Sequence, residues 1–162
     1  MINENSGNFA KGTCGCGDIE FTVLRPPMFV HCCHCTWCQK ETGSAFAVNA
    51  LIETKNVKLE KGKISNKRVA SNSGKGQIIV RCSTCYSPIW SHYGAAEEKV
   101  AFVRVGALNN SRLVRPDIHI YTSSKVNWLN FDGDVPVVEE YYRRSEYWPE
   151  ESIQRYKNAV QT

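Results

Sequence analysis

The sequence predicts a mainly β chain on three observations: short runs of alternating polarity, turn residues at close intervals between them, and few helical periodicities. Ile19, Phe21 and Val23 alternate with polar residues, and comparable runs occupy 28–31, 46–52, 77–81, 100–105 and 117–121. Pro26-Pro27, Lys61-Gly62-Lys63, the polar run from Ser71 to Gly76, and Asp132-Gly133 separate them with turn chemistry. Helical signals are confined to 36–41 and to a short C-terminal helix. In that tail Ile153, Tyr156 and Val160 recur at i, i+3 and i+7, and Pro149 suits the first helical position. The stretch 55–68 mixes lysines with apolar residues as a solvated strand or hairpin face does, and no function is assigned to it.

A chain of 162 residues fits a single domain. Apolar residues at 42% and charged residues at 22% match ordinary globular usage, which argues against a disordered or fibrous chain. A net charge of +4 without dense clustering of Lys and Arg does not describe a dedicated nucleic-acid binder. No run approaches the roughly 18 apolar residues of a membrane span. The stretch Met1-Ile2-Asn3-Glu4-Asn5-Ser6 lacks the basic and apolar regions of a signal peptide, so a cytoplasmic location is expected. In a reducing compartment 8 clustered cysteines read as metal ligands or catalytic groups rather than disulfides.

The cysteines fall into three groups: Cys14-Gly15-Cys16-Gly17, then Cys32-Cys33-His34-Cys35-Thr36-Trp37-Cys38, then Cys82-Ser83-Thr84-Cys85. Zinc takes four ligands in a tetrahedron, and a C-x-C or C-x2-C turn lets two thiolates of one loop converge on it. Joining the outer pairs makes a closed four-cysteine site, structural because it leaves no open coordination position; four free buried cysteines are the bland alternative. Glycines after Cys14 and Cys16 permit the backbone conformations of such a turn. In the central group Cys33, Cys35 and Cys38 offer three thiolates to one point, and three ligands plus an open position are what a catalytic zinc needs. His31 or His34 could complete that tetrahedron and close it. Cys32 is left over and reads as a small buried hydrophobe.

These residues resemble the glutathione-dependent formaldehyde-activating enzyme family, which also contains centromere protein V. The likeness runs through Gly12-Thr13-Cys14-Gly15-Cys16-Gly17, Cys33-His34-Cys35-Thr36-Trp37-Cys38 with Gly43-Ser44-Ala45-Phe46, and Arg81-Cys82-Ser83-Thr84-Cys85 with Ser87-Pro88. It continues in Val105-Gly106-Ala107-Leu108, Pro116-Asp117-Ile118-His119-Ile120 and Ser124-Lys125-Val126-Asn127-Trp128. Its span, about 9–136, defines the expected domain core and leaves 137–162 as a tail. The resemblance implies a β-tent fold of layered antiparallel sheets and two zinc ions per chain. One would be structural on Cys14, Cys16, Cys82 and Cys85, the other catalytic on Cys33, Cys35 and Cys38. It implies addition of a thiol such as glutathione to formaldehyde, giving S-hydroxymethylglutathione, formally a carbon-sulfur lyase reaction. Gln39-Lys40 stands where the family often carries Arg-Lys, and Tyr86 where a glycine is usual after the last cysteine.

A zinc held by three thiolates suits thiol binding better than hydroxide formation. His34 or His119 is the candidate proton donor for the alkoxide, against the bland reading of a satisfied, partly buried imidazole. Trp128 and Phe131 read as core or pocket wall, and Lys40 and Lys125 either as cations that attract a carboxylate-bearing ligand or, as is usual for exposed lysines, as groups that serve only solubility. The expected partner is a small-molecule thiol, with no nucleic acid and no membrane. The competing reading is a non-catalytic zinc-stabilised module that binds protein or nucleic acid.

Overall fold

The computed structural model of the chain describes residues 7–94, 96–131 and 133–161. Met1 to Ser6, read above for targeting signals, and Asp132 of the Asp132-Gly133 turn lie outside them. Among the described residues ten strands form two sheets. The smaller is antiparallel, in the order β1 (Ala10–Thr13), β2 (Glu20–Val23), β5 (Val57–Lys61). The larger has seven strands in the order β10 (Ile118–Ile120), β3 (Phe29–Cys33), β4 (Ala47–Glu53), β9 (Val100–Arg104), β8 (Pro88–Tyr93), β7 (Gln77–Cys82), β6 (Ile64–Val69). The chain is thus mainly β with layered sheets, as expected. One pairing departs from the all-antiparallel expectation: β10 runs parallel to β3, matching His119 with Cys32 and Ile120 with Cys33.

Side-chain alternation along β3 and β4 builds two cores on opposite faces of the large sheet. Val30, Ala50 and Ile52 join Phe21 and Val23 of the small sheet, and Ile19 just before it, on one face. Phe29, Cys33, Ala47 and Leu51 face the other way, toward Trp148, Tyr156 and Ala159 of the C-terminal segment. The third layer therefore consists of α2 (Arg144–Tyr147) and α3 (Glu150–Gln161) together with the loops around them. The 55–68 stretch is β5 and β6, mostly exposed, in keeping with a solvated face. Strands β1 and β8 escaped the sequence reading for different reasons: β1 has four residues and only Ala10 among them is apolar, while every inner position of β8, from Ile89 to His92, is buried, so its sequence shows no alternation.

Two local features set where β1 and α3 lie. Gly12 sits on Phe21, and a Cβ there would come within 2.2 Å of the Phe21 ring, so only glycine lets β1 lie against β2. Helix α3 starts at Glu150, one residue after Pro149, whose carbonyl accepts from the Ile153 amide at 3.1 Å. Its inward face is Ser152, Tyr156 and Ala159; Ile153 is half-buried and Val160 is exposed, so the apolar stripe expected at i, i+3 and i+7 is rotated. The small residues Ser152 and Ala159 let the helix approach while Trp148 meets Tyr156 edge-on at 5.7 Å. Among the described residues no helix is long and apolar enough to cross a membrane.

Helix α3 is tied to β4 by one buried ion pair. Arg155 donates through Nε and Nη2 to the two Glu53 oxygens at 2.8 and 2.7 Å, and Nη2 also reaches the Pro26 carbonyl at 3.0 Å. Burial alone would raise the Glu53 carboxyl, but the guanidinium outweighs it and holds the group below its ordinary value of 4.5. Removing one partner of such a pair leaves a buried charge uncompensated. Arg155→Ala should therefore destabilise the chain by about 2–4 kcal/mol at neutral pH in urea titrations. Because the folded carboxyl titrates below the unfolded one, this stabilisation is complete above about pH 4.5 and is lost as pH falls through the lowered folded value. A penalty that persists unchanged in that acidic range would rule out the ion pair as its source.

Candidate functional site

Four sulfurs from distant parts of the chain meet where the two sheets come together. Cys14 and Cys16 follow β1 of the small sheet, Cys82 ends β7 of the large sheet, and Cys85 lies in the turn before β8. Their sulfurs all lie within 4.8 Å of one another. Cys14 Sγ is 3.4 Å from Cys16 Sγ, and Cys16 Sγ is 3.8 Å from Cys82 Sγ. In a regular tetrahedron with metal–sulfur bonds near 2.3 Å, neighbouring sulfurs stand about 3.8 Å apart, so the group has the size of a zinc site. Backbone amides point at these sulfurs as they would at thiolates: Ile19 N to Cys14 at 3.2 Å and Thr84 N to Cys82 at 3.4 Å.

Both cysteine turns end on a residue in the left-handed region. Gly17 has φ +81° and returns its amide to the Cys14 carbonyl. Tyr86 has φ +59° and returns its amide to Cys82 O at 3.1 Å, so the position after the last cysteine keeps the glycine-type conformation although it holds tyrosine. The tyrosine ring is 64% exposed and offers no burial to offset the strain. Arg81 bonds the Tyr86 carbonyl at 3.0 Å and also pairs with Glu41 of α1 (Thr36–Thr42), linking this turn to the helix of the second group.

The second group is Cys33, Cys35 and Cys38, all buried, with sulfurs again within 4.8 Å of one another. Cys33 ends β3 and Cys38 lies in α1. Cys35 is the N-cap of α1, its Sγ accepting from Cys38 N at 3.4 Å, and Gly43 closes the helix at φ +65°. Cys33 Sγ donates to Cys35 Sγ at 3.5 Å. Hydrogen bonds from Cys33 and Cys38 pull the Cys35 thiol down to about 3. Cys33 is driven far up by the sulfurs of Cys35 and Cys38 and by burial. Cys38 is lowered by Cys33 but raised more by Cys35 and burial, ending near 12. The three sulfurs thus oppose one another's ionisation, and a divalent cation held among them would let all three ionise.

All three cysteines of this second group open into one cavity of about 220 Å³. Its wall includes Tyr93, Phe102, Tyr121, Tyr141 and Tyr156, with Asn49, Gln77 and the 71–73 stretch as polar lining and Trp37 at 42% exposure near the opening. Tyr121 itself holds φ +55°, a strained conformation at the end of β10. Burial raises the phenols of Tyr93 and Tyr121, so both remain protonated donors.

The structure does not bring His34 or His119 to this cavity. Alternation along β3 and its parallel register with β10 send Cys32, His34 and His119 to the opposite face from Cys33. There His34 Nε2 lies 2.9 Å from His119 Nδ1, between Phe46 and Phe131, and burial holds both imidazoles below their ordinary value. These three donors lie within 4.8 Å of one another, but the two imidazoles are engaged with each other, and burial pushes the Cys32 thiol to about 12. His31 does line the cavity, yet its Nε2 is held by Tyr142 Oη at 2.6 Å, and among the described residues no histidine joins the three sulfurs within that distance. Gln39 donates to the carbonyls of His34 and Ser124 at 2.7 and 2.9 Å, so it braces α1 against the loop after β10.

The other sequence candidates also move. Lys40 is exposed on α1, and Lys125 is spent on the Val126 and Leu129 carbonyls. The cations on the cavity wall are Lys75 and Arg144, neither attached to any motif. Phe131 packs on His119 with ring centres 4.4 Å apart, whereas Trp128 is 69% exposed and is neither core nor cavity wall.

The strain at Tyr86 yields a direct test. Tyr86→Gly should raise thermal stability, by up to about 1 kcal/mol, and Tyr86→Ile should lower it by a similar amount, since a β-branched residue tolerates this region least. A glycine variant clearly less stable than the parent would show that the tyrosine ring contributes more than its backbone costs.

The geometry can be set beside known proteins. A crystal structure of a Rhodobacter sphaeroides protein is similar at 21% identity, covering 65% of this chain and 91% of that one, with a TM-score of 0.48. No curated protein matches the chain. The family model described as glutathione-dependent formaldehyde-activating enzyme matches residues 9–124, the span that holds both outer cysteine pairs and the central run. The chain therefore belongs to the glutathione-dependent formaldehyde-activating enzyme family.

Proposed function

We propose that the chain binds two zinc ions, a structural one on Cys14, Cys16, Cys82 and Cys85 and a catalytic one on Cys33, Cys35 and Cys38, and accelerates addition of glutathione or a related thiol to formaldehyde or a comparable small electrophile. The observation that carries this reading is that three buried sulfurs converge on the wall of a cavity while the other four close on themselves between the sheets. A zinc on the three sulfurs would supply a fourth position at which a substrate thiol binds and loses its proton.

The remaining steps belong to the chain's own groups. The aromatic wall excludes water and holds both reactants together, which is the main source of acceleration for an addition of this kind. In that addition the thiolate sulfur forms a bond to the carbonyl carbon, the C=O π pair moves to oxygen, and the proton given up by sulfur ends on that oxygen, with no change of oxidation state. The phenols of Tyr93 and Tyr121, raised by burial and sharing the cavity with the three cysteines, are the donors proposed to meet the developing alkoxide. His34 and His119, expected as proton donors, lie on the far face of the sheet and take no part in this step, while Gln39 and Ser124 bond the His34 backbone carbonyl and so steady the turn leading into Cys35.

Two-dimensional exchange NMR on mixtures of glutathione and formaldehyde measures this activity directly. The wild-type chain should raise the exchange rate above the spontaneous one. Cys35→Ser should abolish the increase and remove about one zinc equivalent while leaving the melting temperature nearly unchanged, because the four-cysteine site is intact. Exchange unaffected by the protein across a range of pH would reject this pair of substrates.

A further inference from the structure

We propose that Arg144 anchors a carboxylate of the substrate in the cavity beside the three cysteines, so that this chain selects carboxylate-bearing thiols over neutral ones. The inference rests on the cavity's being the thiol site proposed above, and it adds a recognition element from a part of the chain that the family match does not reach. The match ends at residue 124, whereas Arg144 opens α2, and Tyr141 and Tyr156 flank it on the same cavity wall.

The residue has what an anion anchor needs and lacks the partner a structural arginine usually has. Its guanidinium lies 3.9 Å from the ring centre of Tyr156 and 5.7 Å from that of Trp148, stacking that fixes its position and orientation. Nη2 donates to Tyr156 Oη at 3.0 Å, but Nε is buried with no acceptor among the described residues. Arg144 takes part in none of the ion pairs among the described residues, while Arg155 nearby in sequence has its glutamate and Arg81 its own. Arg104, buried, also without a carboxylate and with its own Nε unmet, gives Nη1 to Asn49 Oδ1 at 2.6 Å and Nη2 to Ser91 Oγ at 3.4 Å and is not on the cavity wall, whereas half-buried Arg144 is.

The cavity wall reinforces this sign of charge. It carries Lys75 and Arg144 and neither aspartate nor glutamate, in a setting of tyrosines, phenylalanine and tryptophan. A guanidinium on a cavity wall with no carboxylate among its partners in the described residues is matched by the planar, two-oxygen geometry of a ligand carboxylate. A thiol that places its sulfur at the cysteines and a carboxylate at Arg144 would engage both groups on the one cavity wall at once.

Equilibrium binding to the zinc-loaded full chain, measured by calorimetry, separates the two ends. The probes are glutathione, S-methylglutathione, whose sulfur can no longer ionise, and the diethyl ester of S-methylglutathione, whose carboxylates are masked. S-Methylglutathione should bind the wild-type chain, and Arg144→Gln should weaken that binding by about tenfold or more while leaving the ester unchanged. Arg144→Lys should recover part of the loss, which a purely structural arginine would not show in an acid-against-ester comparison. The wild-type preference for acid over ester tests the idea even if a variant fails to fold. Equal affinity for acid and ester, an Arg144→Gln chain that binds the acid as tightly as its parent, or no binding of S-methylglutathione would each overturn the anchor. Acid preference with glutathione binding no tighter than S-methylglutathione would uphold the anchor and reject the thiol site.

Discussion

Seven sulfurs brought to two points are the constraint around which the chain is arranged. Two thiolates about 3.5 Å apart repel by about 4–5 kcal/mol at an effective dielectric near 20, so neither group can ionise fully by itself. The opposed shifts of Cys33 and Cys35 express that frustration: one sulfur takes the charge and its neighbour is denied it. A divalent cation would relieve it at both points, and the amides aimed at Cys14 and Cys35 already favour the ionised form.

The same chemistry has different consequences because of where the sheets place it. The four-sulfur group joins the turn after β1 to the end of β7, and so clasps the small sheet to the large one. The three-sulfur group sits on the opposite side of the fold's main sheet from the apolar layer shared with the small sheet, where the C-terminal helices and the 71–76 turn leave a cavity. Glu41 and Arg81 connect the two, since α1 carries Cys38 and Arg81 precedes Cys82. A disturbance of the outer clamp therefore has a short path to the inner one.

Much of this was legible in the sequence because metal-ligand spacing is local. The pairs at 14 and 16, 33 and 35, and 82 and 85 announce their convergence within a turn, and alternation announces most of the strands. What was not legible depends on the third dimension. Nothing local distinguishes His34 from a residue that faces Cys35; only the pleat of β3 sends it to the other face. Tyr93, Tyr121, Lys75 and Arg144 come from four separate segments and belong to no motif, so the cavity they share exists only in the folded chain. The position of Tyr86 was the reverse case, a departure from family habit whose backbone cost the structure displays.

The division of the sulfurs into a closed set and an open one is tested most directly by anomalous scattering at the zinc edge from a crystal of the purified protein. The account predicts two peaks per chain, one among Cys14, Cys16, Cys82 and Cys85, the other bound to Cys33, Cys35 and Cys38 with a fourth ligand that is not a protein side chain. A second peak absent from a zinc-replete crystal, or one completed by His31 or His34, would contradict it.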